Sequence, residues 1–368
     1  MKYQSVFLHS KSKEILVKKN KKILVIISGD VIGGHEIQLK TILLDMCMQF
    51  ENIVIICTSS ITSEYFLDLG CPVHIVDFRL EGKIWKQWMN ASEIVPFLKN
   101  HVLRTDICFI SGGTIEACIA SARAVKIISS QKKVIAYIPM YIDRSLSHGL
   151  IGSIYNLLTN RMARIIDEFV TINRIQAYFL KKHFKRPVHL LENSIKDVKL
   201  PVDSKGKRLI YLGRFDDGQK GISELIQILD QEDNPYRNLI LIGDGPDKEK
   251  ISCTASATKF IRVQIEGWMS TDEVDTFLGI DDCLIMNSSW EGEPLVVREF
   301  SSRRLPCVVR NIDGMRGVTH RFMRFNTSKQ LVKILQKLYD TDRSKLPVKI
   351  NRVPQLNRRK IIEYFIGQ

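Results

Sequence analysis

Short β-rich apolar runs alternating with longer amphipathic stretches constrain this chain more than any other feature. Ile23–Ile27, Ile53–Cys57, Val73–Val76, Ile107–Ile110 and Val134–Ile138 read as strands, and Ile37–Met48 and Ile115–Ile127 carry helical periodicity between them. Parallel neighbours in a sheet need a crossover, usually helical, so the alternation predicts βαβ units and parallel sheets. A second series starts at Arg208, with strands at Leu209–Leu212, Leu239–Ile242, Val263–Ile265, Cys283–Met286 and Cys307–Val309. Lys199–Gly206 has linker composition and separates the two series. A chain of 368 residues that is 45% apolar supports two full cores. The fold class read from this pattern is α/β with two domains, residues 1–200 and 207–350. The last run, Leu356–Ile366, reads as a helix.

Composition narrows the setting. No apolar run approaches the roughly 18 residues that span a bilayer, and Met1–Asn20 lacks a signal-peptide pattern. The eight cysteines are scattered through mostly apolar contexts with no CxxC pair, which predicts buried free thiols in a reducing cytosol. The net charge is +14 and uneven: residues 1–200 carry 27 Lys/Arg against 17 Asp/Glu, residues 201–368 carry 27 against 23. A basic first half suits nucleic acid or an anionic membrane. No aromatic-basic recognition motif accompanies the lysines, so nucleic acid ranks last. Lys181–Arg186 closes the segment Gln176–Leu180, whose aromatic and aliphatic residues could lie on a bilayer. The alternative is a solvated helix end, where lysines suit the macrodipole.

Asn287–Glu299 carries the most chemistry. It follows the apolar run Cys283–Met286 and sets Glu291 and Glu299 eight positions apart, with Gly292 and Pro294 between. Pro294 opens a helix, because the first helical residue needs no N–H donor. The free N–H groups around Leu295 and Val296 then face whatever lies ahead of the helix, a ready anion site. A carboxylate on each side can hold hydroxyls, and a phosphate flanked by hydroxyls describes a nucleotide sugar. For the two glutamates alone the alternative is a solvated helix start.

Other loops follow strands in the same way. Gly29–Glu36 ends at a helix start, and Gly33 and Gly34 let backbone approach a phosphate or an acceptor hydroxyl. GxGxxG fails in every register there, and a plain βα turn is the alternative. In Tyr211–Gly221, Gly213 and Gly218 set the GxxxxG of a P-loop. The lysine comes one position late and Gly221 stands where Ser or Thr would hold magnesium, which excludes an NTPase. Asp340-Thr341-Asp342, the only Asp-x-Asp, reads as a surface turn. His9, His74, His101, His183, His189 and His320 show no ligand spacing.

Taken in order, these blocks resemble retaining glycosyltransferases of the GT-B fold, in particular glycosyltransferase family 4 (glycosyl transferases group 1). Glu291 to Glu299 resembles that family's Glu-x7-Glu motif, Gly33, Gly34 and Glu36 its GGxE loop, and Gly213-Arg214 with Lys220-Gly221 its GR…KG block. Gly243-Asp244-Gly245-Pro246 resembles its GxGP turn, Phe169–Asn173 and Leu191–Ile195 the blocks closing the first domain, and Ile265–Trp268 with Thr271–Phe277 the segment beside the base. The likeness runs over nearly the whole chain after residue 20 and is strongest over 208–309.

The resemblance implies two Rossmann-like domains facing across a cleft, the C-terminal helix, residues 355–368, crossing back to the first. It implies that Arg214 and Lys220 grip the donor diphosphate, where fixed cations stabilise the departing charge. Glu291 would face the sugar or its phosphate, and Glu299 would hold the ribose hydroxyls. The backbone of Gly292 and Pro294–Val296 would bind the diphosphate, while Gly33, Gly34, Gly243 and Gly245 line the donor site. Arg214, Lys220 and Glu291 are thereby the catalytic candidates. Retention in this family is written as a same-face displacement in which the leaving phosphate oxygen takes the acceptor proton. No carboxylate pair of the glycosidase kind is then needed, and the two cations imply neither metal nor cofactor.

Two departures stand out. The family often carries a histidine after the strand at Val134–Ile138; here the chain reads Tyr137–Asp143, leaving Asp143 and His148 as weak candidates to touch the sugar. Arg304 sits near a customary glycine, and Asp313–Gly317 replaces a GG-x-E block. The expected activity is a cytoplasmic, retaining, metal-independent hexosyltransferase at the cytoplasmic face of the membrane. Its partners would be a nucleotide sugar, a glycan or polyprenyl/lipid-linked acceptor and an anionic inner membrane surface, in O-antigen, capsule or lipopolysaccharide synthesis. The rivals are a sugar-nucleotide epimerase or phosphorylase-like enzyme of the same fold, and a degenerate subunit that supports an active partner.

Overall fold

The computed structural model describes residues 19–29, 32–76, 84–193, 198–342, 360–364 and 366, with backbone alone at 146–148. Asp30 and Val31 of the glycine loop, Ser194 and Ile195, the His148 side chain, His9 and residues 355–359, 365, 367 and 368 of the expected last helix lie outside them.

Two parallel sheets organise the described residues. The first contains β1 (Lys19–Ile27), β2 (Phe50–Cys57), β3 (Val73–Ile75), β4 (Ile107–Ser111), β5 (Lys133–Tyr137), β6 (Glu168–Thr171) and β7 (Val188–Leu190). Their order is β3-β2-β1-β4-β5-β6-β7. The second contains β8 (Leu209–Leu212), β9 (Asn238–Ile242), β10 (Arg262–Glu266), β11 (Cys283–Met286), β12 (Cys307–Arg310) and β13 (Arg324–Phe325), in the order β10-β9-β8-β11-β12-β13. Helices pack on both faces of each sheet, so the central strands are buried on both sides and read as continuous apolar runs, while the edge strands β3, β7 and β10 are partly exposed. Ile23, Val25 and Ile27 enter one core of the first sheet, while Leu24 and Ile26 enter the other. The second sheet divides its residues in the same way, Leu239 and Leu241 to one side, Ile240 and Ile242 to the other. Ile362 and Ile366, near the end of the chain, lie in the first sheet's core beside β1 residues.

Both sheets reverse their winding direction once, between β1 and β4 and between β8 and β11. Loops diverge at such a switch point and open a crevice at the carboxyl ends of the strands, where ligands of open α/β sheets bind. The loops after β1, β8 and β11 are the ones that sequence analysis singled out.

Several expectations are corrected. Pro294 is the residue before the Leu295–Ser302 helix, with extended backbone (φ −71°, ψ 118°), rather than its first turn. Of the thiols, Cys57, Cys108, Cys118, Cys283 and Cys307 are buried, Cys47 and Cys71 half-buried and Cys253 exposed; none is in a disulfide. The segment Gln176–Leu180 lies in the Arg174–Phe184 helix and turns Gln176 and Leu180 inward, leaving Tyr178 as its exposed aromatic. Asp340 ends the Ser328–Asp340 helix instead of standing in a turn.

Candidate active site

The loops after β8 and β11 are laced together. Asp216 caps a single helical turn, Asp217–Lys220, by accepting the Gln219 N–H, and Gly221 ends it in the left-handed region at φ 59°. A side chain at Gly221 would stand 2.9 Å from the Asn287 amide nitrogen, so this turn needs glycine twice over. The Ser289 N–H donates to the Gln219 carbonyl (2.8 Å), the Gln219 amide to the Trp290 carbonyl (3.1 Å) and the Asn287 amide to the Gly221 carbonyl (3.1 Å). This lacing sets the Lys220 Nζ 2.5 Å from Glu291 Oε1, with the glutamate side chain 9% exposed. Arg214 is exposed on the same loop, and its guanidinium has no partner among the described residues. Two catalytic candidates therefore meet directly, and the third is exposed on the loop that carries Lys220.

Gly243 and Gly245 meet protein backbone. A Cβ on Gly243 would lie 2.0 Å from the Gly213 carbonyl oxygen, and one on Gly245 2.5 Å from that of Phe215. The two glycines let the loop after β9 nest against the loop after β8, where the Phe215 N–H donates to the Asp244 carbonyl at 2.8 Å. Gly314, in the block that departs from the family pattern, does the same for the motif itself: its Cβ would fall 2.2 Å from the Glu291 carbonyl oxygen. Glu299 is half-buried one turn into the Leu295–Ser302 helix. The N–H groups of Leu295 and Val296 belong to the first turn, whose donors the helix itself does not use.

The first domain presents a helix start of its own. Gly33, in extended backbone, precedes the Gly34–Gln49 helix, and its N–H donates to Glu36 Oε2 at 2.9 Å. The other Glu36 oxygen bonds His35 Nδ1 (2.8 Å), while His35 Nε2 reaches the Ser111 hydroxyl at the end of β4 (2.8 Å). The His35 ring stacks on Tyr137 at the end of β5, centroids 5.3 Å apart. Burial pushes the Glu36 carboxyl up, but the hydrogen bond and charge of His35 and the Gly33 N–H outweigh it, and the net shift is downward. Sequence analysis passed over His35, because histidine one residue before a motif glutamate has no spacing signal; only the sheet brings Ser111 and Tyr137 to it. Asp143 accepts the Ser145 N–H and hydroxyl and the Asn156 amide, so its carboxylate is engaged at the start of the following helix, and the serine hydrogen bonds hold its carboxyl down.

The two domains touch at these loops. A Cβ on Gly34 would lie 3.7 Å from Leu295 Cδ1, so the two helix starts abut. The Asn173 amide donates to the Gly292 carbonyl (2.9 Å), and a Cβ on Gly292 would come within 3.1 Å of the Pro139 carbonyl oxygen. The Asn193 amide donates to Glu293 Oε2 (3.2 Å), whose other oxygen pairs with Arg298 at 2.5 Å. Burial pushes the Glu293 carboxyl up; Arg298 and Asn193 pull it down without cancelling the rise. Among the described residues no three His, Cys, Asp or Glu gather to hold a metal ion.

Comparison with known proteins agrees with this geometry. The profile of the family Glycosyl transferases group 1 matches residues 193–347. An O-antigen biosynthesis glycosyltransferase of Escherichia coli, WclY, is 28% identical over 235 residues, 58% of this chain and 64% of that relative. The chain thus aligns over less than two thirds of that relative's length. Among solved structures, the apo form of the lipopolysaccharide outer core galactosyltransferase WaaB superposes with a TM-score of 0.62 at 18% identity, covering 94% of both chains. Anabaena Alr3699/HepE, in complex with UDP and glucose, gives 0.65 at 16% identity over 95% of both. At such identities these likenesses establish the fold. Two Rossmann-like domains in the GT-B arrangement therefore carry, over residues 193–347, the signature of glycosyl transferases group 1.

Proposed function

We propose that this protein is a glycosyltransferase that moves a sugar from a nucleotide donor to a glycan or lipid-linked acceptor of a bacterial surface polysaccharide, with retention and without a metal. The observation that carries the reading is the meeting of two helix starts, at Gly34 and Leu295, beside the Lys220–Glu291 pair. Helix N-termini and fixed cations favour a diphosphate there. The site residues take the roles that the resemblance implies. The N–H groups of Leu295 and Val296 bind the diphosphate, with Arg214 and Lys220 neutralising the charge that grows as it leaves. Glu291 lies by the transferred sugar and Glu299 by the ribose. Gly33 and Gly34 fit close approach by a ligand, since a Cβ on either would meet described protein atoms only at ordinary contact distance. The acceptor oxygen bonds to the anomeric carbon as the bond to the phosphate breaks, and the acceptor proton passes to the leaving phosphate oxygen on the same face. The names of WclY and WaaB support an O-antigen or lipopolysaccharide role, and the HepE complex supports UDP. We place the domains at 1–200 and 207–350, residues 355–368 returning to the first, a division that the packing of Ile362 and Ile366 supports.

A thermal-shift titration with UDP, GDP, ADP, CMP and TDP, with and without EDTA, tests the reading. A ligand that binds the native state raises the midpoint by mass action. One nucleoside diphosphate should do so, unaffected by EDTA. No shift with any of them points instead to a degenerate subunit.

A further inference from the structure

We infer that Cys47 and Cys71 form a dithiol modification site, which a low-molecular-weight disulfide closes into an intramolecular bond. Cys47 lies near the end of the Gly34–Gln49 helix, and Cys71 stands between the left-handed Gly70 (φ 71°) and Pro72, just ahead of β3. Their thiols share a hydrogen bond, although they belong to different elements. Both pack against the core cluster that holds Leu43, Met46, Phe66 and Leu69. Lys40 keeps the helix and the segment leading to Cys71 in register: its Nζ donates to the Tyr65 carbonyl at 2.7 Å and pairs with Asp68 at 2.7 Å. The thiols therefore meet without rearrangement of the fold. Hydrogen-bonded sulfurs need only small side-chain rotations to reach bonding distance, about 2.0 Å.

Reactivity separates this pair from the other thiols. Both side chains are half-buried, and Met48, Gly70 and Pro72 beside them are exposed, so a small reagent can reach them. Cys57, Cys108 and Cys118 are buried, and burial pushes their thiols up to about 12. At Cys71 the hydrogen bond with Cys47 outweighs burial and holds the thiol below its ordinary range. A thiolate is the nucleophile in exchange, so Cys71 attacks first. It bonds one sulfur of the reagent, and the other half leaves as a thiolate. Cys47 loses its proton to solvent, attacks the Cys71 sulfur and expels the second thiolate. The protein gives up two protons and two electrons, and the reagent is reduced to two thiols. In a reducing compartment the same exchange runs backwards, which makes the bond a transient mark rather than a structural staple. The pair stands about 20 Å along the helix from its start at Gly34, outside the candidate active site.

The test needs neither donor nor transfer, so it stands apart from the proposed function. The purified full chain is incubated with oxidised glutathione, its remaining thiols are alkylated with N-ethylmaleimide, and its peptides are read by mass spectrometry. Wild type should yield a Cys47–Cys71 cross-linked peptide that dithiothreitol releases. Cys47→Ser should stop at a mixed disulfide, with glutathione retained on Cys71. At early times Cys71→Ser should carry about tenfold less glutathione on Cys47 than Cys47→Ser carries on Cys71. Oxidation should raise the wild-type thermal midpoint, because the bond restricts the unfolded chain, and should not raise that of either variant. Glutathione that stays on Cys71 in the wild type, a bond from either thiol to a third cysteine, or equal labelling of the two variants would overturn the inference. So would a midpoint that falls on oxidation, since such strain means that the sulfurs are not preorganised.

Discussion

Lys220 and Glu291 hold each other at 2.5 Å, and an arriving diphosphate must share or break that pair. The glutamate is nearly buried, so removing the lysine leaves an uncompensated carboxylate at a cost of about 1–3 kcal/mol. Lys220→Ala is expected to lower both stability and turnover, the latter by about 10²–10³-fold. Adding Glu291→Gln should restore the thermal midpoint without restoring transfer; unchanged transfer in Lys220→Ala would refute the assignment. Glu299→Ala should instead reduce the midpoint shift produced by the nucleoside diphosphate. A second residue-level expectation concerns acid. Glu36 is held below its ordinary value of 4.5, so it stabilises the fold above that pH and loses this as pH falls through its lowered value. Glu36→Gln should therefore flatten the fall of the thermal midpoint below pH 4.5, and an unaltered acid limb would count against the His35–Glu36–Gly33 network. The motif glutamates were legible in the sequence because their spacing is local. Glu293 was not: its partners Asn193 and Arg298 lie 100 residues behind and five ahead, and only the fold assembles them.

At the scale of elements, the ten strands read from apolar runs are all present; the central ones are buried on both faces and leave an unbroken apolar signature, while β3 and β10 are exposed edges. β6, β7 and β13 were missed as strands. Polar residues interrupt them: β6 runs from Glu168 to Thr171, β7 is a half-exposed edge centred on His189, and β13 is only Arg324-Phe325, so none produces such a run. The exposed Ser145–Met162 helix escaped for the opposite reason: its apolar residues do not mark a core. Arg304 shows a departure from pattern becoming geometry. It stands near the family's glycine and takes that conformation, φ 61°, where a Cβ costs about 1–2 kcal/mol. Its side chain is exposed, so Arg304→Gly should relieve the strain, stabilise by about 0.5–1 kcal/mol and raise the thermal midpoint by about 1–4 °C. A lower midpoint would show that the guanidinium contributes more than the backbone loses.

For the whole molecule, the cleft was legible only as a resemblance. Its closure depends on contacts between residues a hundred or more apart, which no periodicity encodes. Asn173 has two jobs: its Oδ1 accepts the Gln176 N–H and caps a helix, while its Nδ2 donates across the domains to the Gly292 carbonyl. Asn173→Asp separates them. The isosteric carboxylate still caps, and a carboxylate suits a helix N-terminus, but it turns an acceptor toward the Gly292 carbonyl and repels it. The first domain should therefore keep its stability while the Gly292–Val296 segment loses a cross-domain anchor. A donor bound by both domains must then pay the ordering that this anchor supplied in advance. Nucleoside diphosphate affinity should fall about five- to tenfold, and amide exchange at Leu295 and Val296 should quicken. If affinity drops with exchange unaltered, Asn173 acts on the ligand directly. If neither changes, the domains are held in register by the Asn193–Glu293–Arg298 chain instead, and Asn193→Ala should then produce both effects.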